Sequence, residues 1–290
     1  NGGNTMAETA CVSCGNCVSV CPVGALMPKS LHDFREWETH KVRTTCAYCG
    51  VGCQIDFSVK DGVIVDAQPA NGPSNQGLLC VKGKFAYEFI NHEDRLKYPM
   101  IRKNGKLERA SWEEALDLVA GKILEVKENY GPDAIAGFSS ARTVNEDSYL
   151  FQKFIRAAVG TNNVDHCARL CHSSTVAGLA ATLGSGAMTN CITEIKEADV
   201  IFITGSNTTE THPVMGMYVR QAHRMGKKII VADPVRIPLA EIADIYLQIN
   251  PGTSVALSNG MLHVIFEEGL EDKEYIEKYT EGIEELREIV

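Results

Sequence analysis

Eight of the eleven cysteines in this 290-residue chain fall into two quartets, and the spacing constrains both fold and chemistry. The first quartet is the run Cys11-x2-Cys14-x2-Cys17-x3-Cys21, which Pro22 follows directly. In the second, three cysteines crowd one loop and a fourth comes from a distant segment: Cys46, Cys49, Cys53 and Cys80. Thiolates are soft ligands that suit iron–sulfur clusters. The spacing therefore predicts electron transfer before any fold is assigned.

The first quartet has the spacing of bacterial ferredoxins, in which the fourth cysteine normally ligates the other cluster of a two-cluster module. Residues 1–10 contain no partner run, so we expect the other ligands of the Cys21 cluster to lie upstream. Two alternatives stay open: Cys21 completes the cluster of its own run, or the pattern binds zinc. Disulfides do not explain two such regular quartets, and we therefore expect a reducing compartment, the cytoplasm.

Length and charge limit the remaining possibilities. With 290 residues, of which 44% are hydrophobic and 22% charged, the chain can fold into about two globular domains. Its net charge of −9 argues against a nucleic-acid partner, and no apolar run approaches the ~20 residues of a membrane helix. The chain starts at Asn1 and stops after a charged stretch, so we expect both ends to be cuts through a longer protein.

The sequence pattern divides the chain into three segments. Residues 1–40 contain the first quartet and a polar linker, which predicts a partial ferredoxin-like 4Fe-4S segment. Residues 41–100 hold the second quartet and a hairpin with its turn at Asp61-Gly62. Residues 101–290 have an α/β pattern. We expect this third segment to be incomplete at its end.

Helical and strand patterns alternate in the third segment. Ser111-x-x-Glu114 is a capping box that opens an amphipathic helix. The apolar runs 200–204 and 228–232 flank a helical stretch, and such a strand–helix–strand unit predicts a parallel sheet. Further patterns predict strands at 134–138 and 245–249 and a helix at 146–159. The expected fold class is α/β, with small ferredoxin-like and 4Fe-4S cluster domains before parallel-sheet, dinucleotide-binding α/β domains.

Three cysteines lie outside both quartets. Cys171 belongs to a stretch rich in reactive side chains, where Arg169 and His172 would both favour its thiolate. From the residues alone, Cys171 is a candidate nucleophile or a candidate metal ligand. For Cys167 and Cys191 the preferred interpretation is that of a small buried hydrophobic residue.

Taken together, the motifs resemble the molybdopterin oxidoreductase family, and within it the catalytic subunits of formate dehydrogenases. The resemblance covers about residues 44–290. It rests on long matches, namely the second quartet with Lys82 and the segments 139–146, 159–166 and 166–173. The first quartet is similar to the end of the ferredoxin-like extension of NAD-linked and hydrogenase-linked members.

The resemblance implies that residues 101–290 bind a metal–pterin cofactor whose catalytic centre lies at Cys171. In this family two molybdopterin guanine dinucleotides hold a molybdenum or tungsten ion, and one protein side chain completes the site. That position corresponds to Cys171, where many members carry selenocysteine. His172 corresponds to a histidine that orients or deprotonates substrate, a role that suits imidazole near neutral pH. Lys82 corresponds to a lysine between cluster and pterin, with an ordinary surface lysine as the alternative.

The resemblance also implies contacts to the guanine dinucleotides, and nucleotides bind at the carboxyl ends of strands in open α/β sheets. The candidate residues follow the predicted strands and are Gly205, Asn207, Glu210, Asp233, Gly252 and Thr253. Arg142 corresponds to a position near the pterin phosphates, with a surface salt bridge as the alternative. The family usually has arginine directly after Asp-Pro, whereas this chain has Val235 and then Arg236, so Arg236 receives no role.

The implied function is reversible two-electron oxidation of formate to carbon dioxide. The metal–pterin cofactor would carry the bond change, and electrons would leave singly through the second and then the first quartet's cluster. Iron–sulfur, flavin/NAD(P) or hydrogenase subunits are the expected electron partners. Two alternatives stay open. One is a nitrate or other oxoanion reductase of the same superfamily, and the other is the electron-relay iron–sulfur subunit of NADH:quinone oxidoreductase.

Overall fold

The computed structural model describes residues 5–9, 11–29 and 32–290. Ser30 and Leu31, which belong to the predicted linker, lie outside these ranges. The chain divides into two compact units, Asn1–Cys191 and Ile192–Val290. The cysteine-rich segments come first and are followed by alternating helices and strands with parallel pairing, which confirms the predicted α/β class. Within the described residues, no helix is both long enough and apolar enough to cross a membrane.

The cysteine-rich part of the first unit is built on a three-stranded antiparallel sheet. Its strands, in spatial order, are β1 (His40–Thr45), β2 (Gln54–Lys60) and β3 (Val63–Pro69). The predicted hairpin turn is confirmed, because Asp61 and Gly62 both have positive φ, 51° and 78°, as a two-residue turn between twisted strands requires. Two short helices carry the flanking cysteine segments, α1 (Asn16–Ser19) and α2 (Val81–Phe85).

Alternate residues of β2 and β3 supply the core of this sheet. The buried apolar residues are Ile55, Val65, Ala67 and Leu79. Lys84 of α2 is buried as well, and its Nζ donates to the Ala67 carbonyl at 2.6 Å and lies 3.8 Å from Oδ1 of Asp66. Burial lowers the pKa of Lys84, and the Asp66 carboxylate opposes that effect. Helix α2 is therefore anchored on β3 directly after Cys80.

The remainder of the first unit is α/β. A second hairpin, β4 (Met100–Lys103) and β5 (Lys106–Arg109), leads into helix α3 (Trp112–Tyr130). As predicted, Ser111 caps α3, since its Oγ accepts from the Glu114 amide at 3.1 Å. The later elements are β6 (Gly137–Ser139), α4 (Asn145–Lys153), β7 (Val164–His166), α5 (Ala168–Cys171) and α6 (Ser173–Leu183).

Three expected elements have different bounds in the structure. The strand expected at 134–138 begins only at Gly137, because Pro132–Ala134 first forms a 3-10 turn. The helix expected at 146–159 starts as α4 and continues as a π-helix, Phe154–Val159, which Gly160 ends with φ 91°. The strand expected at 245–249 stops at Leu247. Strands β6 and β7 pair in parallel, with Ser139 opposite His166.

The second unit contains a three-stranded parallel sheet in the order β10-β9-β8. Its strands are β8 (Val200–Thr204), β9 (Lys228–Ala232) and β10 (Ile245–Leu247). The helices are α7 (Thr208–Thr211), α8 (Pro213–Arg224), α9 (Ser254–Glu267), α10 (Lys273–Tyr279) and α11 (Ile283–Ile289). The predicted β8–α8–β9 unit is thus confirmed, and Val219 of α8 packs with Ile229 and Val231 of β9 in the core. Further 3-10 turns lie at Met6–Glu8, Glu36–Glu38, Glu88–Ile90 and Ile192–Lys196.

Candidate cluster and cofactor sites

The second quartet converges on one place. The Cys46 amide donates to the Cys53 carbonyl at 2.8 Å and closes the loop, and Gly52 turns the chain with φ 65°. Cys53 and Cys80 are buried. Burial raises the pKa of Cys53 to about 12, with the negative charges of Cys46, Cys49 and Cys80 as further causes. The Cys53 sulfur therefore lies close to the other three.

This donor set fits an iron–sulfur cluster. Four thiolates crowded together and partly desolvated are unfavourable unless positive charge compensates them, and cluster iron supplies that charge. Within the described residues, no three His, Cys, Asp or Glu side chains gather as they would around a single metal ion. A four-iron cluster takes its thiolates differently, because each cysteine binds a different iron.

Asn75, which the sequence did not single out, organises the scaffold of this site. It is fully buried, and its Oδ1 accepts from the Gln54 amide at 3.0 Å. Its Nδ2 donates to the carbonyls of Ala70 and Leu78, both at 2.9 Å. Asn75 thereby ties the strand after Cys53 to the loop before Cys80. The sequence offered no signal for this role, since an isolated asparagine in a glycine-rich loop usually indicates a turn.

Lys82 lies beside the cluster site. It is half-buried on α2, and its ammonium charge opposes the burial that raises the pKa of Cys46. A cavity of about 200 Å³ opens here, lined by residues that include Cys46, Tyr48, Lys82, Tyr87 and Phe89. Gly83 also lines this cavity. A Cβ at this position would lie only 3.2 Å from Cδ2 of Leu79, so a larger residue would need Leu79 to move. The role of Lys82 between two redox centres stays a prediction.

The first quartet presents sulfurs that accept hydrogen bonds from the chain. The Ser13 amide donates to Sγ of Cys11 at 3.4 Å, and Nδ2 of Asn16 donates to Sγ of Cys14 at 3.3 Å. At Cys21 the amides of residues 26, 23, 25 and 24, in order of effect, hold the pKa of the thiol below its ordinary value. Donors of this kind favour thiolates and so fit cluster ligation. Which cluster Cys21 ligates stays a prediction.

Cys171 is the last residue of α5, five residues beyond the end of β7, and His172 follows it. Both side chains are exposed in this chain. Nε of Arg169 donates to Oδ2 of Asp165 at 2.9 Å, so its charge is offset by a carboxylate. The amide of His166, and after it Arg169, holds the pKa of Asp165 below its usual range. Asp165 therefore offsets part of the positive charge by which Arg169 was expected to stabilise a thiolate at Cys171.

The structure places Arg142 at the cluster loop. Its guanidinium donates to the backbone carbonyl of Tyr48 and, at 3.4 Å, to that of Ala47. The adjacent Ala141 amide donates to Sγ of Cys167 at 3.2 Å. Cys167 is exposed, which corrects the expectation of a buried hydrophobic residue, and Cys191 is exposed as well. Because β6 and β7 are parallel and in register, the Arg142 loop and the Cys171 helix leave the same sheet edge.

In the second unit the predicted dinucleotide-binding residues gather at one sheet edge. Thr204, Ala232 and Leu247 end the three strands in direct register. The predicted residues follow these ends, with Gly205, Asn207 and Glu210 after β8, Asp233 after β9, and Gly252 and Thr253 after β10. Parallel strands place such loops where nucleotides bind.

The polar atoms at this edge fit a bound cofactor. Within the described residues, Oδ1 of Asn207 and Oγ1 of Thr209 are buried without a hydrogen-bond partner. Buried acceptors of this kind nearly always have a donor in a complete structure. The buried Asp233 uses Oδ1 to accept from the Val235 amide at 2.8 Å. Arg236 lies over the Tyr246 ring at 5.6 Å, so its charge faces an aromatic side chain.

Comparison with known families identifies the chain. The family described as molybdopterin oxidoreductase matches residues 95–289, and the molybdopterin oxidoreductase Fe4S4 domain matches residues 39–92. The chain belongs to the molybdopterin oxidoreductase family. A 4Fe-4S binding domain matches residues 7–27, around the first quartet. The expected cofactors, four-iron clusters and a molybdenum or tungsten bis-molybdopterin guanine dinucleotide centre, agree with these domains, whereas the individual site residues stay predictions.

Relatives of this molybdopterin oxidoreductase chain are longer proteins. It is 52% identical to the F420-dependent formate dehydrogenase 1 subunit alpha of Methanococcus maripaludis, over 85% of this chain and 36% of that protein. It is 49% identical to formate dehydrogenase H of Escherichia coli, over 86% of this chain and 36% of that one. Acetylene hydratase from Pelobacter acetylenicus matches in structure with a TM-score of 0.69 and 26% identity, covering 85% of this chain and 34% of that chain. The chain thus spans about a third of its relatives' length.

Proposed function

We propose that this chain is part of the catalytic subunit of a formate dehydrogenase, an enzyme that oxidises formate reversibly to carbon dioxide. One observation carries the proposal: the chain is 49–52% identical to formate dehydrogenase alpha subunits over most of its length. The Cys171-His172 pair at the end of α5 agrees with it, because a relay subunit would need no such pair.

Each of the candidate site residues would have a distinct role in formate oxidation. When bound, the metal–pterin centre supplies the two-electron bond change and the clusters supply one-electron steps. Cys171 would hold the metal through its thiolate, and His172 would orient formate or accept its proton. Lys82 would lie between the second quartet and the pterin. Arg142 would hold the cluster loop through the Tyr48 carbonyl.

The second unit would hold the guanine dinucleotides. Asn207 offers a buried acceptor, and Asp233 follows the neighbouring strand with a second one. Gly205 and Gly252 have φ of 58° and 84°, so the loops can adopt turns that expose backbone amides to phosphate. Glu210 and Thr253 complete the set as further polar contacts.

We expect the electrons to leave through the second quartet's cluster, then through the first quartet's cluster, to a partner subunit. Iron–sulfur, flavin/NAD(P) or hydrogenase subunits are suitable acceptors. Two cysteine quartets at regular cluster spacing, which disulfides do not explain, favour a reducing, cytoplasmic location. The net charge of −9 argues against a nucleic-acid partner.

Metal analysis of the purified protein, combined with a formate assay, tests the proposal. We expect an equimolar amount of molybdenum or tungsten together with formate-dependent reduction of an artificial dye. Absence of both metals would contradict the proposal and favour an electron-relay subunit. Bound metal without formate oxidation, but with nitrate reduction by reduced dye, would favour an oxoanion reductase.

A further inference from the structure

Asn16 joins the two cysteine quartets through its side-chain amide. It lies between Cys14 and Cys17, and its Nδ2 donates to the Leu79 carbonyl at 2.9 Å. In return, the Leu79 amide donates to Oδ1 of Asn16 at 3.0 Å. The same Nδ2 lies 3.3 Å from Sγ of Cys14 and donates to it. One carboxamide therefore contacts a sulfur of the first quartet and a peptide that adjoins the second.

The position of Leu79 gives this contact its significance. Leu79 is bonded directly to Cys80, the fourth cysteine of the second quartet, and it is only 1% exposed. Its two backbone polar groups need partners because they are withdrawn from water. Asn16 satisfies both, because its carboxamide accepts from the Leu79 amide and donates to the Leu79 carbonyl, as the backbone of a neighbouring strand would. The link is thus firmly held at the Leu79 end, across 63 residues of sequence.

Gly15 brings the two segments close independently of Asn16. Its φ is 73°, in the left-handed region that glycine adopts without strain. A Cβ at this position would lie 2.9 Å from Cζ of Phe85 and 3.0 Å from Cγ of Lys84, both on α2. Any larger residue would require the Phe85 and Lys84 side chains or the first quartet's segment to shift. The sequence Gly15-Asn16 therefore combines close approach with a specific hydrogen-bonded pairing.

We propose that Asn16 is a positioning residue for electron transfer between the two clusters, a role that rests on the proposed relay. It holds the first quartet against the second and provides a hydrogen-bonded connection from Sγ of Cys14 to the Leu79–Cys80 peptide. In the transfer one electron leaves the reduced cluster of the second quartet and enters the oxidised cluster of the first. No bond forms or breaks, and no proton is required.

Asn16 also affects the potential of the first cluster. Hydrogen bonds to cluster sulfurs are among the factors that set reduction potential, because they stabilise the more negative, reduced state. The donor from Asn16 to Cys14 therefore makes the first cluster a better electron acceptor. Removing it shifts that cluster's potential to a more negative value and disfavours transfer from the second quartet.

The test compares Asn16→Ala and Asn16→Asp with the wild-type protein, and Asn91→Ala at an exposed asparagine serves as the control. Asn16→Asp retains the acceptor for the Leu79 amide but removes both donated bonds. In each variant, iron content, the potentials of both clusters and their spin–spin coupling by electron paramagnetic resonance are measured after reduction with dithionite. The transfer rate between clusters is followed after rapid photochemical injection of electrons.

We expect both Asn16 variants to retain iron, to shift the first cluster's potential to a more negative value, to weaken the spin–spin coupling and to slow transfer several-fold. Asn91→Ala should match the wild type. Unchanged potential, coupling and rate in both variants would overturn the proposal. Loss of the first quartet's iron in both would overturn it too, since Asn16 would then serve cluster assembly. Because no step uses formate, the result stands even if the protein does not oxidise formate.

Discussion

The guanidinium of Arg142 donates to the backbone carbonyl of Tyr48, which lies between two cysteines of the second quartet. Arg142 itself follows β6, at the same sheet edge from which the Cys171 helix departs. Within one unit, this contact joins the cluster loop to the loops of the candidate catalytic centre. It gives Arg142 a role that needs no bound cofactor and differs from the pterin-phosphate contact implied by resemblance.

Arg142→Ala should therefore disturb the cluster loop. The Tyr48 carbonyl loses its charged donor, and the loop around Cys46 and Cys49 loosens. We expect formate-dependent dye reduction to fall by up to about 100-fold, the loss that a misplacement of catalytic groups by about 1 Å can cause. The electron paramagnetic resonance signal of the second quartet's cluster should broaden.

Arg142→Lys provides the matched control, because it keeps the charge but loses the planar, forked donor. Its activity should lie between those of the wild type and the alanine variant. Full activity with an unaltered cluster signal in Arg142→Ala would contradict the role assigned to this contact.

Asn75→Ala should destabilise the cluster domain. The change leaves buried backbone groups of Gln54, Ala70 and Leu78 without their partner, at a cost of about 3 kcal/mol. Loss of cluster absorbance in urea measures the effect, and the alanine variant should bleach at lower urea. The nearby Asn71 is exposed, so Asn71→Ala should change stability by less than about 0.5 kcal/mol. Equal behaviour of the two variants would show that Asn75 is dispensable.

Asp165→Asn should leave the pH dependence of formate oxidation unchanged. The amide of His166 and the Arg169 guanidinium depress the pKa of Asp165. Its pairing with Arg169 is therefore fully present above the ordinary aspartate value, near pH 3.9, and is lost only as pH falls through the lower folded value. Between about pH 6 and 9 the carboxylate stays ionised, so replacing it should change the rate of formate oxidation by the same factor across this range. A shift of the acidic limb of the pH–rate profile in Asp165→Asn would contradict this prediction.

Asn207→Ala should weaken cofactor retention. The Oδ1 atom of Asn207 is buried without a partner within the described chain, and a ligand donor at this position would lose its acceptor in the variant. We expect about ten-fold lower retention of guanine nucleotide and metal on dialysis. Arg224→Ala is a suitable control, because Arg224 ends α8 and therefore lies toward the opposite edge of the sheet from the strand-end loops. Equal nucleotide content in both variants would remove Asn207 from the binding site.

The elements that the sequence predicted well are those with local causes. Asp61-Gly62 supplies the positive φ of a tight turn, Ser111 caps its own helix, and the apolar runs 200–204 and 228–232 form parallel strands, although Val200 and Phe202 are exposed rather than buried. The β4–β5 hairpin had an equally local signal that was not used, since Asn104-Gly105 is a typical two-residue turn with φ of 49° and 82°.

Other features depend on partners distant in sequence and could not be predicted. Strand β1 is polar and exposed, and it forms because β2 supplies its hydrogen bonds. The roles of Asn16 and Asn75 become visible only when Leu79 and Gln54 lie beside them. Cysteine spacing, by contrast, indicated the cluster ligands directly, because three of the four ligands in each quartet lie on one short loop.

Replacing Cys171 by alanine in the purified enzyme tests most directly whether Cys171 belongs to the catalytic centre. Metal content and formate-dependent dye reduction are measured on the same sample. Dithionite reduction of the iron–sulfur clusters serves as the folding control. In the alanine variant we expect clusters that reduce normally and a loss of formate oxidation. Formate oxidation at the wild-type rate, with molybdenum or tungsten still bound, would contradict this expectation.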